Sequence, residues 1–123
     1  MILVDTSVWI DHFRHNDPSL SRSLNQRQVL SHPFVIGELA LGTLRQRDLI
    51  LEALRGLPSV LVAHDEEVHA FIDRHGLFGI GIGYIDAHLL AATFLTPDVR
   101  FWTRDKRLRA AALRLGMDAN LDQ

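Results

Sequence analysis

The chain has 123 residues, 47% of them apolar, and a net charge of −2 from 13 basic and 15 acidic side chains, with no cysteine. That length fits one domain with a single core, residues 1–123, and the apolar share belongs to a globular rather than a disordered chain. The lack of cysteine excludes disulfides, thiolate zinc sites and cysteine nucleophiles. With no apolar run near the roughly 18 residues that span a bilayer and no basic region before the first apolar segment, a soluble, cytoplasmic protein without membrane association is expected.

In chain order, Ile2-Leu3-Val4 is a short buried strand that runs straight into Asp5. Thr6 and Ser7 are both able to cap the helix that follows, Val8 to Phe13. Asp17-Pro18 reads as an N-cap with proline at the first helical position of a short second helix. Gln28 to Ser31 suggests a brief strand, and Pro33 opens a helix through Gly42. Arg47 to Leu57 is amphipathic, with Leu49, Ile50, Ala53, Leu54 and Leu57 spaced for one face, and Pro58 ends it. Val60 to Ala63 fits a buried parallel strand. Asp65, Glu66 and Glu67 start a helix that stops at Gly76, where acids suit the positive end of the helix dipole. A glycine-rich loop, Gly79 to Gly83, leads into a helix from Tyr84 to Phe94. After the Pro97-Asp98 turn come a strand at Arg100 to Thr103 and a last helix from Arg104 to Leu115, with Gly116 as C-cap and an edge strand at Met117 to Leu121. Strands alternating with helices predict a three-layer α/β/α domain with a mainly parallel central sheet.

Four acids break this pattern. Asp5 and Asp105 each follow an apolar strand, the position from which an open α/β sheet presents an acid to a ligand crevice. Glu38 shares its helical face with Phe34, Val35, Leu41 and Gly42, and Asp86 shares its own with Leu89, Leu90 and Thr93. A buried, lone carboxylate costs several kcal/mol or shifts strongly in pKa. No basic residue stands three or four positions from Glu38 or Asp86. Gathered together, each pair of such charges at 4 Å would repel by about 4 kcal/mol at an effective dielectric near 20. A hard divalent cation with oxygen ligands, Mg²⁺ with Mn²⁺ as substitute, resolves the conflict and supports phosphodiester hydrolysis. Asp86 also lies near its helix start, so a first-turn role is the plainer alternative for it. Twelve of the 13 basic residues are arginine, and Arg104, Lys106 and Arg107 beside Asp105 suit phosphate contact, although a solvated helix face explains a basic cluster as well. Asp11 has no matching context and reads as a solvated helix residue, Ser7 as a cap, and the histidines as surface or core residues.

Four segments, Ile-Leu-Val-Asp5-Thr-Ser-Val-Trp-Ile, Val-Ile-Gly-Glu38-Leu-Ala-Leu-Gly, Ile-Asp86-Ala-His-Leu-Leu-Ala-Ala and Trp-Thr103-Arg-Asp105-Lys-Arg-Leu, carry a resemblance to the PIN-domain ribonucleases, specifically the VapC-type toxins of toxin–antitoxin pairs. Each is weak alone; four in the family's order are specific. The resemblance implies an acidic quartet of Asp5, Glu38, Asp86 and Asp105. Asp5 and Asp86 would be direct Mg²⁺ ligands, and Glu38 and Asp105 would act through water or a second ion. Thr6 and Thr103 would steady the acids. It further implies an endoribonuclease that cuts tRNA or rRNA, forms a homodimer and is blocked by a small cognate antitoxin protein. Two other readings of the residues stay open: a Mg²⁺-binding phosphatase or receiver-like domain, and a non-catalytic binding module of the same fold. Position 7 is serine rather than the second acid a phosphatase pair wants, and the only lysine directly follows Asp105. The Gly79-Ile-Gly-Ile-Gly83 loop fails the spacing of a dinucleotide-binding turn.

Overall fold

The structure, a computed structural model, describes residues 1–121; the last two positions of the expected 1–123 domain lie outside it. Its elements are β1 (Ile2–Val4), α1 (Thr6–His15), α2 (Pro18–Asn25), β2 (Val29–Leu30), α3 (Pro33–Leu41), α4 (Arg47–Arg55), α5 (Asp65–His75), α6 (Tyr84–Leu95), β3 (Arg100–Trp102) and α7 (Lys106–Arg114). The three strands pair in parallel in the order β2-β1-β3, with Leu3 level with Leu30 on one side and Phe101 on the other. Single parallel bridges, Ser31 to Ser59 and Phe101 to Asp118, extend the sheet at its two edges. With helices packed around this sheet the architecture is the expected α/β/α one. Because every strand runs the same way, the carboxyl ends of β1 and β3 open on one edge, which places Asp5 beside Thr103 to Asp105.

The core explains why the acid-bearing helices hold position. Leu3, Val4 and Phe101 are fully enclosed, and seven consecutive residues of α6, Ala87 to Thr93, are buried. A helix buried over so much of its circumference belongs to the middle of a domain, which accounts for its nearly unbroken apolar sequence. Replacing Leu89 or Leu90 by alanine would cost about 2–5 kcal/mol, a large part of a domain's stability of about 5–15 kcal/mol. Asp86 thus rides on one of the best-anchored helices. Among the described residues, no helix is long and apolar enough to cross a membrane.

Five local expectations need correction. The run Val60 to Ala63 is not a strand: the Val60 amide donates to the Ser31 carbonyl at 3.0 Å as part of the single bridge at Ser59, but Leu61 turns its amide to the Thr96 hydroxyl at 3.0 Å, leaving Leu61 and Val62 exposed. In α4 the buried face is Leu51 and Leu54, while Leu49 is 63% exposed, so the face is turned from the expected one. The last helix begins at Lys106, because the Asp105 side chain caps it by accepting the Leu108 amide at 3.0 Å. In α1 the N-cap position is Asp5, so Thr6 and Ser7 fall in the first turn and their hydroxyls are free for other partners. Finally, the face that Glu38 shares with its neighbours is core only at Val35: Phe34 and Leu41 are exposed, Leu41 by 90%, and the core side of α3 runs through Val35 and Leu39.

Candidate active site at the carboxyl edge of the sheet

Asp5 is buried at the end of β1, and its Oδ2 accepts two hydroxyls, Ser7 Oγ at 2.8 Å and Thr103 Oγ1 at 2.7 Å. Among the described residues its Oδ1 has no hydrogen bond. The two hydroxyls are themselves held from the far strand end. Ser7 Oγ accepts the Arg104 amide at 3.0 Å, and Thr103 Oγ1, fully enclosed, accepts the Asp105 amide at 3.1 Å. The turn leaving β3 is therefore stitched to the turn leaving β1 through one carboxylate oxygen. Two charge-assisted hydrogen bonds of this kind offset the cost of burying Asp5.

Glu38 and Asp86 reach the same region from α3 and α6, each half-buried and each held by one bond. Thr6 Oγ1 donates to Glu38 Oε1 at 2.8 Å, and the Gly83 amide donates to Asp86 Oδ2 at 2.9 Å. Asp86 thus does have the first-turn role considered for it, and the convergence of charge as well. Its pKa is raised, first by burial, then by the charges of Asp5, Asp105 and Glu38, with the Gly83 amide opposing. No cation acts on it in return. Four carboxylates from positions 5, 38, 86 and 105 therefore share one electrostatic field. Asp105 is exposed and spends one oxygen on capping α7, which leaves its other oxygen for the site.

Among the described residues no three His, Cys, Asp or Glu side chains are placed to hold one ion together. An oxygen-only, net negative donor set with Asp86 destabilised by its neighbours fits a hard divalent cation.

The three expected phosphate contacts separate. Lys106 and Arg107 are exposed and, among the described residues, make no hydrogen bond or ion pair; the Arg107 guanidinium lies across Gly81, where a Cβ would stand 2.4 Å from its Nη1. Gly81 has φ +82°, so the loop before Asp86 favours glycine there, whereas the exposed Arg107 side chain could move aside for a Cβ. Arg104, by contrast, is engaged by Asp11 and Asp17. Asp11 is therefore not a merely solvated residue, and Ser7 is not the expected cap but a link between Asp5 and the Arg104 amide. Neither role carried a sequence signal: Ser7 finds its partner 97 positions away and Asp11 its own 93 away.

The histidines stay out of the chemistry. His32 is buried at the start of α3, its Nδ1 accepts the Phe34 amide at 3.0 Å, and burial with help from His88 pushes its pKa down to about 4. His88 is buried on α6 with Nε2 3.2 Å from Asp65 Oδ1, a close contact without hydrogen-bond alignment. Phe34 stands between the two rings at 5.2 and 4.8 Å. They are core residues, as expected.

A parallel sheet with acids gathered at its carboxyl edge defines a class, and comparison with known proteins agrees with it. The model of the PIN domain family matches residues 2–113. Two curated relatives, Ribonuclease VapC32 of Mycobacterium tuberculosis strains CDC 1551 / Oshkosh and ATCC 25618 / H37Rv, are each 46% identical to the chain over 117 residues, covering 95% of it and 94% of the relative. The chain belongs to the PIN-domain family. Within that family it is a nuclease of the VapC type, the ribonuclease toxin of toxin–antitoxin pairs. Ribonucleases of this type act on RNA, generally require a divalent metal and generally pair with a protein antitoxin.

Proposed function

We propose that the protein, a single domain, hydrolyses phosphodiester bonds in tRNA or rRNA with Mg²⁺ held at the acidic edge, Mn²⁺ substituting. In this reading Asp5 and Asp86 ligate the ion directly, and Glu38 and Asp105 hold its waters or a second ion. The observation that carries it is the meeting of the two strand ends, where the Thr103 hydroxyl, two residues before Asp105, donates to Asp5 at 2.7 Å; the raised pKa of Asp86, pushed up by burial and by the charges of Asp5, Asp105 and Glu38, supports it. When bound, the metal supplies an activated water and stabilises charge on the oxygen that leaves phosphorus. The chain's own contribution is placement. Ser7 and Thr103 fix one oxygen of Asp5, Thr6 fixes Glu38, and the Gly83 amide fixes Asp86, so the acids are oriented before substrate arrives. Lys106 and Arg107 offset the negative field by pairing with substrate phosphates.

The same site is what a cognate antitoxin would block, and the functional unit is a homodimer in the cytoplasm. A groove of about 820 Å³ lies beside Glu38, lined by Ile10, Phe13, Arg14, Leu44, Arg45 and Ile50 among others, and supports occupation by an amphipathic segment.

Cleavage of total RNA by purified, antitoxin-free protein with Mg²⁺ or Mn²⁺ tests the reading, with EDTA and Asp86→Asn as controls. Cleavage is expected with metal and in neither control. Activity that survives both would overturn the site assignment. Light scattering that returns only a 13.9 kDa species at micromolar concentration would overturn the dimer.

A further inference from the structure

Arg104 leads the basic cluster beside Asp105, yet its side chain faces away from an RNA-binding role. Nη1 donates to Asp11 Oδ2 on α1 at 2.7 Å, and Nη2 donates to Asp17 Oδ2 just ahead of α2. Asp17 is itself immobilised, since its Oδ1 caps α2 by accepting the Leu20 amide at 3.0 Å. The guanidinium carbon lies 5.5 Å from the ring centre of the buried Trp102, within range of a cation–π contact. The main chain of the same residue donates to Ser7 Oγ, whose hydroxyl donates to Asp5. Arg104 thus ties the segment Thr103-Arg104-Asp105 to α1 at two levels. Only the planar, multi-donor fork of arginine meets two carboxylates at once.

We propose that Arg104 is a positioning residue for the acid quartet: its clamp on Asp11 and Asp17 fixes the β3–α7 turn, and through it the Thr103 hydroxyl on Asp5 and the placement of Asp105. The inference rests on the quartet being the metal site of the ribonuclease. It removes Arg104 from the RNA contacts and leaves these to Lys106 and Arg107. A guanidinium already neutralised by two carboxylates would have to lose one of them to grip a phosphate. A clamp of this kind acts as outer-sphere partners of metal ligands do, where loss typically costs about 10–100-fold in metal affinity or activity.

The test uses full-length, antitoxin-free protein with Arg104→Gln, Arg104→Lys, Asp11→Asn, Asp17→Asn and the Arg104→Gln variant carrying both asparagines. Steady-state cleavage of a single-stranded RNA oligonucleotide is measured over a salt series, and Mn²⁺ affinity is measured by calorimetry without RNA. Arg104→Gln is expected to lower kcat and weaken Mn²⁺ binding by about tenfold each, with KM and its salt dependence within about twofold of wild type. Asp11→Asn and Asp17→Asn are expected to show the same signature at smaller size. Adding them to Arg104→Gln produces no further loss, because one device is already broken, and Arg104→Lys recovers part of the kcat. A raised KM with a flatter salt dependence and unaltered Mn²⁺ affinity in Arg104→Gln would overturn the proposal and make Arg104 an RNA contact. So would a lower KM in the asparagine variants, which free the guanidinium. If Arg104→Gln fails to fold, Asp11→Asn decides: its partner is lost at a part-exposed position, and unaltered kcat and Mn²⁺ affinity there sink the clamp. If wild type cuts no RNA, the ribonuclease reading fails on its own, and the Mn²⁺ series still decides whether Arg104 shapes the acids.

Discussion

The acid cluster has two unlike sides. On the strand side, Asp5 is buried and takes two hydroxyls on one oxygen, and those hydroxyls are pinned by the Arg104 and Asp105 amides. On the helix side, Glu38 and Asp86 are half-buried and each has one hydrogen bond, from Thr6 and Gly83. The strand side holds its acid by two hydrogen bonds out of water; the helix side holds each of its acids by one, partly in water. A site built this way keeps precision where burial makes error costly.

Removing an acid is the hardest test. Asp5→Asn and Asp86→Asn are each expected to lower RNA cleavage by more than about a hundredfold, since each takes a charge from the proposed metal site. If the two sides differ as described, Asp5→Asn also lowers the melting temperature, because two charge-assisted hydrogen bonds at a buried position become neutral ones, whereas Asp86→Asn changes only one bond, to the Gly83 amide, at a half-buried position. Equal melting curves for the two variants would contradict the contrast.

The supporting hydroxyls come next. Thr103→Val keeps the shape of an enclosed side chain but leaves the Asp105 amide without its acceptor and Asp5 with one donor, so kcat is expected to fall about tenfold, in line with loss of about 1.5 kcal/mol from a charged hydrogen bond. Thr6→Val removes one bond at a half-exposed position, and a change of about two- to threefold is expected. A larger effect at Thr6 than at Thr103 would reverse the contrast between the two sides.

Acid stability sharpens the clamp. The pKa of Asp17 is lowered: burial pushes it up, but the Arg104 hydrogen bond and charge and the Leu20 and Ser19 amides together outweigh burial. A depressed folded pKa means that this stabilisation is present above the unfolded value and is lost as pH falls through the folded one. Asp17→Asn is therefore expected to melt lower than wild type at pH 7, and the gap is expected to narrow as pH falls below the ordinary aspartate range. A gap that does not change at all as the pH is lowered would mean that the carboxylate charge is not what holds Arg104.

The smallest effect has the opposite sign. The folded pKa of Asp86 is raised, so its favourable contribution exists below the unfolded value and disappears as pH rises through the folded one. At pH 7 the ionised group opposes folding of the metal-free protein. Asp86→Asn is thus expected to melt a few degrees higher without metal and to lose the stabilisation that Mn²⁺ brings to wild type. A lower melting temperature in EDTA would refute the strain on Asp86.

Much of this was legible in the chain because local rules were broken in telling places. An aspartate at a strand end, and acids without a basic neighbour one turn away, are visible without coordinates because helix and strand periods state which residues share a face. The argument that singled out Glu38 was weaker than it looked, since Leu41 beside it is exposed. The strand at Val60 to Ala63 was misread for a related reason: an apolar run reports burial, not pairing, and here only Val60 and Ala63 are buried.

The sequence alone determined the alternation of strands and helices, the four acids at positions 5, 38, 86 and 105 and the class of chemistry they permit, because hydrophobic period and charge are local properties. Tertiary structure alone decided which arginine is spent and which is free, and which hydroxyls serve Asp5. Arg104 meets Asp11 and Asp17, and Ser7 meets the Arg104 amide, only because the parallel register of β1 and β3 brings two strand ends together. A hydrogen bond between residues nearly a hundred positions apart has no signature in sequence spacing; the fold creates the proximity, and the proximity assigns the role.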